Sequence, residues 1–490
     1  MDKTKAKKYL NWSILGLITI SLIILTSNVA FAKIPSHYSD LKFPPLPSIQ
    51  LPEYERYQLD NGMLVYLVED HQLPLVTGTA MIRTGERLDP DSQLGLAEIT
   101  GELMRTGGTT QHSEDELDQI LEQKAASVET SIGKTSGRAG FTALSDDLET
   151  VLNLFAEVLR YPIFTEEQLT FEKTKLKGEI SRRNDDPNSI ASREFSKLIY
   201  GENSPYARTV EYENLDNISR DDVIEFYKKY VRPDQIILGI VGDFNPNQLK
   251  KMINDTFADW VVDAPLPETS IATPSQNLTE GVFLVDQPQL TQSNILLGHI
   301  GGELINPDYP TLSVINGILN GYGGRLYNQV RSKQGLAYSV YGLWRAAYDY
   351  PGFFVAGGQT KSETTIDFIE SIFKEIERLR IEPITEAELN YAKESILNSF
   401  VFEFENASQT LSRLMTYEYY GYPDDFIFKY QKGVKETTRE DVLRVAKKYL
   451  QPNQIVTLIV GNARVIEPSL SRWKTEVQTV DITIPKPQKS

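Results

Sequence analysis

Two stretches of this chain repeat one another. Arg220 to Gly242 reads RDDVIEFYKKYVRPDQIILGIVG, and Arg439 to Gly461, 219 residues further on, reads REDVLRVAKKYLQPNQIVTLIVG. About half of the positions are identical, far above what two unrelated amphipathic segments share. A second pair, Gly85-Glu-Arg-Leu-Asp-Pro-Asp91 against Gly302-Glu-Leu-Ile-Asn-Pro-Asp308, lies at nearly the same offset. Self-similarity at a fixed period means a repeated structural unit, here a duplicated domain of roughly 210 residues. A length of 490 residues, too great for one ordinary domain, agrees with this.

Each copy has legible local structure. Ser219 or Thr438 caps a helix with an acidic first turn and Lys-Lys in the last, the order that complements the macrodipole. Pro233 or Pro452 ends it, and an unbroken β-branched run follows, Gln235 to Val241 or Gln454 to Val460. Such a run reads as a strand buried on both faces. Further strands are predicted at Met63 to Val68, after the Asp60-Asn61-Gly62 turn, and at Leu75 to Arg83. Helical periodicity runs over Ser113 to Ser127, Asp146 to Leu159, Thr165 to Arg183, Asp308 to Leu319, Glu363 to Leu379 and Thr385 to Phe400. Strands and helices mixed in both copies imply two α/β sandwich domains of an α+β fold, each a sheet covered by helices. The predicted domains are residues 53–262 and 282–482, with a Pro-, Ser- and Thr-rich linker at 263–281 and a tail at 483–490. Residues 33–52, with five prolines, form an extended segment ahead of the body.

The N-terminus carries an export signal. Lys3, Lys5, Lys7 and Lys8 precede an apolar stretch, Ile14 to Leu25, that ends in Val29-Ala30-Phe31-Ala32. This is the charged, apolar and small-x-small order of a secretory signal peptide, so residues 1–32 read as a signal with a cleavage site after Ala32. Counted from 10 to 31, the same segment is long enough for an uncleaved membrane anchor, with the body still outside the cytoplasm. There is no cysteine, which removes disulfides, thiol catalysis, thiolate metal sites and lipid attachment at cysteine together. A formal charge of −17 argues against nucleic acid and, more weakly, for cationic or unfolded peptides.

The segment Gly95-Leu96-Ala97-Glu98-Ile99-Thr100-Gly101-Glu102-Leu103-Met104-Arg105-Thr106-Gly107-Gly108-Thr109 resembles the signature helix of the pitrilysin family of zinc peptidases. That family also includes mitochondrial processing peptidase and core proteins of a respiratory complex. Asp60-Asn61-Gly62, Pro205-Tyr206, Val241-Gly242-Asp243-Phe244 and Gly335-Leu336-Ala337-Tyr338-Ser339-Val340 extend the resemblance, which runs from about residue 53 to 465. It implies mixed, largely antiparallel sheets and a two-domain chain that forms half of a clamshell.

Active members of that family carry His-x-x-Glu-His on this helix. Here Glu98 and Glu102 stand at the two histidine positions and Gly101 at that of the catalytic glutamate, while Glu179 falls where the third metal ligand is expected. Zinc hydrolysis of this kind needs two neutral imidazoles one turn apart and a carboxylate to take a proton from water. None of the four histidines (His37, His71, His112, His299) has a partner at three to five residues. Losing a general base alone costs about two to four orders of magnitude in rate. The resemblance therefore implies a chain with no zinc and no complete catalytic set of its own.

Three carboxylates at 98, 102 and 179 would suit calcium or manganese better than zinc. The plainer reading is a solvated helix face opposite Leu96, Ile99, Leu103 and Met104, with Glu102 and Arg105 spaced to pair.

The second half keeps what the first has lost. Arg331 and Tyr338, seven residues apart, match a family element in which an Arg and a Tyr reach across the clamshell to the zinc-bound substrate. A phenol can donate to an oxyanion and a guanidinium can hold a substrate carbonyl. On spacing alone they would read as a surface salt bridge and a core aromatic. The glycine-rich turn Gly321-Tyr322-Gly323-Gly324 lacks a phosphate loop's Gly-Lys-Ser/Thr ending and reads as a helix opening. There is likewise no Gly-x-Ser-x-Gly elbow for serine catalysis.

Bacterial members of the family work as heterodimers, so the resemblance implies a zinc-bearing partner with an intact His-x-x-Glu-His, or a second copy of this chain. Unfolded or short peptides are the expected substrates. The alternatives are a silent scaffold like the respiratory core proteins and, more remotely, a peptidase in its own right.

Overall fold

The computed structural model describes residues 51–487 apart from 270, 272, 277–279 and 474–475. The N-terminal segment that carries the signal and anchor readings lies outside the described residues. Among the described residues no helix is long and apolar enough to cross a membrane.

Among the described residues twelve strands form two sheets of six. In chain order they are β1 (Glu55–Gln58), β2 (Leu64–Glu69), β3 (Leu75–Ile82), β4 (Ser127–Ile132), β5 (Gly137–Leu144), β6 (Ile236–Gly242), β7 (Gly281–Asp286), β8 (Gln292–Ile300), β9 (Ala337–Arg345), β10 (Phe353–Lys361), β11 (Val456–Gly461) and β12 (Gln478–Thr479). The first sheet runs β1-β2-β6-β3-β5-β4 and the second β12-β7-β11-β8-β10-β9, so the duplicated sequence folds into a duplicated topology. The repeated strand, β6 or β11, is parallel to one neighbour and antiparallel to the other. Every one of its residues is buried, as its β-branched composition requires. The helix before it opens with a reciprocal capping box in both copies, Ser219 with Asp222 and Thr438 with Asp441.

One face of each sheet is covered by helices of its own half. The first core packs Leu103, Phe141, Leu152, Phe155 and Phe257 together, and the second Leu312, Phe354, Phe368, Ile372 and Val445. All six helices read from the periodicity are present. The first of them stops early, at Gln123, because Ala125 takes a positive φ of 47° and Ser127 already opens β4.

The sequence did not disclose what covers the other faces. Helix Pro187–Tyr200 leaves its own half and lays Ile190, Phe195 and Ile199 on Phe283, Val285, Val355 and Leu458 of the second sheet. Its counterpart Ala407–Tyr420 lays Leu411, Met415 and Tyr419 on Tyr66, Val68, Ile237 and Val241 of the first. The approach is close: a Cβ on Gly239 would lie 2.2 Å from the Met415 sulfur. Polar groups stitch the same seam. Glu418 accepts from Arg56 at 3.0 Å and from the Tyr66 hydroxyl at 2.7 Å, and Arg87 pairs with Asp349 at 2.6 Å. The described residues are in consequence one compact unit.

Because the exchanged helices bury each half against the other, Phe195→Ala should cost about 3–5 kcal/mol. Hydrogen exchange in β6 and β11 should accelerate together. Exchange that rises in the second sheet alone would show that the halves are stable independently.

Candidate functional site

Gly95, at a φ of 96°, turns the chain into helix Leu96–Thr106, and the Asp89 carboxylate accepts the first free N–H groups, from Gly95 and Ala97, both at 2.9 Å. Burial pushes Asp89 up to about 7 in spite of those donors. Leu96, Ile99, Leu103 and Met104 enter the core as expected. The opposite side corrects the reading of a solvated face. Glu98 and Glu102 are half-buried, facing helix Glu166–Arg182, and Arg105 is only 8% exposed. Nor does Arg105 pair with Glu102. It donates to the Val128 carbonyl at 3.0 Å and pairs with Asp118, because its side chain follows the edge of β4.

A lysine supplies the positive charge here. On helix Glu166–Arg182, Glu172, Lys175 and Glu179 recur at helical spacing, and Lys175 binds the buried Glu172 carboxylate at 3.0 Å. Burial, then Glu86, Glu179 and Glu102, drives Glu98 up to about 7 against the pull of Lys175. Burial also raises Glu102, and Lys175 again opposes it. Among the described residues no three His, Asp or Glu side chains converge as a group able to hold a metal.

Gly101 seals the arrangement. Its carbonyl accepts from the Thr130 hydroxyl at 2.6 Å, and a Cβ on it would lie 2.3 Å from the Ile132 nitrogen and 2.8 Å from the Ser131 carbonyl carbon. The helix rests directly on the backbone of β4, leaving no room for a glutamate side chain. Zinc does not fit this set of carboxylates, ammonium and bare glycine.

In the second half Tyr338 opens β9, the outermost strand of its sheet, and is 84% exposed, which excludes a core aromatic. Nor does Arg331 belong to a surface salt bridge among the described residues. Its guanidinium carbon lies 4.9 Å from the Tyr338 ring centroid and 4.8 Å from that of Tyr327. Residues Tyr327–Lys333 wind as a π-helix, a form that is rare and frequent at functional sites. The glycine-rich turn ahead of it is tied down from below. Gly323 donates to the Tyr391 hydroxyl at 3.0 Å, and buried Arg325 pairs with Glu388 at 2.6 Å.

The histidines are structural or solitary. His299 is buried, donates from Nδ1 to the Ile300 carbonyl at 2.7 Å and accepts the Gln451 N–H at Nε2, and burial lowers its pKa. His112 meets Glu157, and His71 bridges Glu69 and Asp243. His37 lies outside the described residues. Sequence reasoning missed Glu172 and Lys175, whose signal was the spacing with Glu179, and Tyr327, which sits one turn before Arg331.

Family models described as Insulinase (Peptidase family M16) and Peptidase M16 inactive domain match residues 64–211 and 217–396. The chain belongs to the M16 peptidase family. It is 25% identical over 361 residues to the uncharacterized zinc protease YmxG of Bacillus subtilis, spanning 73% of this chain and 86% of that protein. To the non-peptidase homolog YmxG of Helicobacter pylori it is 24% identical over 404 residues, 81% of this chain and 91% of that one. The crystal structure of a peptidase M16 inactive domain from Pseudomonas fluorescens matches with a TM-score of 0.75 at 24% identity, over 85% of this chain and all of that one. The periplasmic protease PqqL of Escherichia coli matches with a TM-score of 0.70 at 14% identity, over 90% of this chain and 50% of that one. These structures share the M16 fold of two mixed sheets with packed helices.

Two outcomes follow from the site. Restoring the M16 signature with Glu98→His, Gly101→Glu and Glu102→His should give a protein that melts below the wild type and holds no stoichiometric zinc by elemental analysis. A well-folded variant with one zinc per chain would contradict the packing argument. Burial opposes ionisation of Glu388, but Arg325 and the Thr385 N–H outweigh it and hold this carboxyl at about 2, below its ordinary 4.5. A depressed carboxyl stabilises the fold above its unfolded pKa and loses that contribution as pH falls through the folded one. The melting advantage of wild type over Glu388→Gln should therefore be full above about pH 5 and vanish towards pH 2 in a scanning-calorimetry series.

Proposed function

We propose that this M16 chain is the non-catalytic subunit of a two-subunit peptidase. It binds an extended peptide and presents Arg331 and Tyr338 to the reaction site of a zinc-bearing subunit of similar fold. The observation that carries the reading is the asymmetry between the halves. The metal positions are occupied by Glu98, Gly101 and Glu102 and closed by packing, while Tyr338 stands 84% exposed with Arg331 stacked upon it.

The chemistry follows from what these groups are. The partner's zinc would supply the activated water. This chain's guanidinium would hold a carbonyl of the peptide, and its phenol would donate a hydrogen bond to the oxygen on which charge develops. An extended peptide can add as a strand along an open sheet edge, and β9, which among the described residues pairs only with β10, offers one beside Tyr338. The lysine-led N-terminus supports a place outside the cytoplasm, where unfolded peptides would be the substrates.

A catalytically silent scaffold is the second reading. The absent zinc site and the non-peptidase homolog of Helicobacter pylori favour it. The two readings separate in one experiment, in which the full chain is co-expressed with a family member carrying His-x-x-Glu-His and peptide cleavage is followed. Tyr338→Phe and Arg331→Ala should each lower kcat by about two orders of magnitude, as loss of an oxyanion donor does, while the complex still forms on gel filtration. Unchanged turnover in both variants would leave only the scaffold.

A further inference from the structure

Arg331 and Tyr338 are not an isolated pair. The Arg331 guanidinium lies over two rings, 4.8 Å from the centroid of Tyr327 and 4.9 Å from that of Tyr338. Tyr327 is itself met edge-on by Tyr322, with ring centroids 5.1 Å apart. Tyr322 is 80% and Tyr338 84% exposed. Large aromatic surfaces left this open and contiguous mark a contact site. The row is rigid from below, because the turn that carries Tyr322 is tied to Tyr391 and the Arg325–Glu388 pair sits under it.

A guanidinium held over aromatic rings keeps N–H groups available at its edge. Among the described residues the Arg331 edge meets no carboxylate or carbonyl. It is a half-buried fork open to an oxygen.

We propose that Tyr322, Tyr327, Arg331 and Tyr338 act as one peptide-binding row, in which Tyr327 is the positioning residue that holds Arg331 towards a main-chain oxygen of the peptide. Tyr322 is the specificity residue, offering its ring to an aromatic or aliphatic side chain further along. The two spacings, 5.1 Å from Tyr322 to Tyr327 and 4.8 Å from Tyr327 to Arg331, together reach no further than about three residues of an extended strand, which rises ~3.3 Å per residue. The preferred peptide is therefore extended, with an apolar side chain within about three residues of the carbonyl that Arg331 holds. This rests on the proposed peptide-binding role of the Arg331 and Tyr338 element.

The test needs only the full chain. Fluorescence anisotropy is measured with a dye-labelled, unstructured peptide of about ten residues with blocked termini and one central Phe, and with the same peptide carrying Ser in its place. Arg331→Ala and Tyr327→Leu should each weaken binding of both peptides roughly tenfold, the size of a partly desolvated cation–π contact. Tyr327→Phe should restore wild-type affinity, because the ring and not the hydroxyl holds Arg331. Tyr322→Ala should weaken the Phe peptide and leave the Ser peptide unchanged.

Melting temperatures of the variants separate misfolding from lost contact, and Tyr327→Phe carries the test if Tyr327→Leu does not fold. An effect of Arg331→Ala with none of Tyr327→Leu overturns the positioning role and leaves the proposed function standing. Weak binding by Tyr327→Phe overturns it as well. No binding by wild type, or none lost in Arg331→Ala, overturns the proposed peptide-binding role itself.

Discussion

Two helices that leave their own sheets hold this molecule together. Strands such as β6 and β11 are apolar on both faces, and helices of the same half cover only one of them. The uncovered face would be too apolar to leave in water. Exchange of Pro187–Tyr200 for Ala407–Tyr420 solves the problem for both halves at once. Gly239 shows how tightly it is solved, since the Met415 sulfur occupies the space a larger residue would need. The degenerate metal position and the Arg331 element are thereby parts of one body.

Much of this was legible in the chain itself. The repeat at Arg220 and Arg439 announced two equivalent halves, and the shared strand order of the two sheets is its structural form. The unbroken β-branched runs read correctly as fully buried strands. Strands β4, β5, β8, β9 and β10 were silent because their alternation is diluted by Gly, Ser and Thr, which fit a half-covered sheet face but give little periodic signal. The exchanged helices were silent for another reason. Ile190, Phe195 and Ile199 show that a helix has an apolar face, but nothing local states which sheet it will meet.

The site divides in the same way. The family pattern identified positions 98, 101, 102 and 179 and the pair Arg331 and Tyr338, because those are questions of residue type. What the pattern did not contain was the environment. Glu98 and Glu102 were expected in solvent and are half-buried, and Arg105 prefers the edge of β4 to its helical neighbour Glu102. Lys175 belongs to a different helix and enters the region only through tertiary packing. The same holds for the stacking on Arg331. Its second ring comes from a π-helical turn, a backbone form that sequence periodicity does not signal.

The contact between Gly101 and β4 makes the loss of the metal site hard to undo one substitution at a time. A carboxylate at 101 collides with a main-chain amide before any imidazole is present to justify it. An imidazole at 98 or 102 arrives beside an ammonium group instead of a vacant coordination sphere. Each of these steps costs packing, and the complete signature still meets the β4 backbone at 101, so a route back to a hydrolase must also move that strand. The first half has become a fixed support, and change is cheapest on the open row of rings in the second.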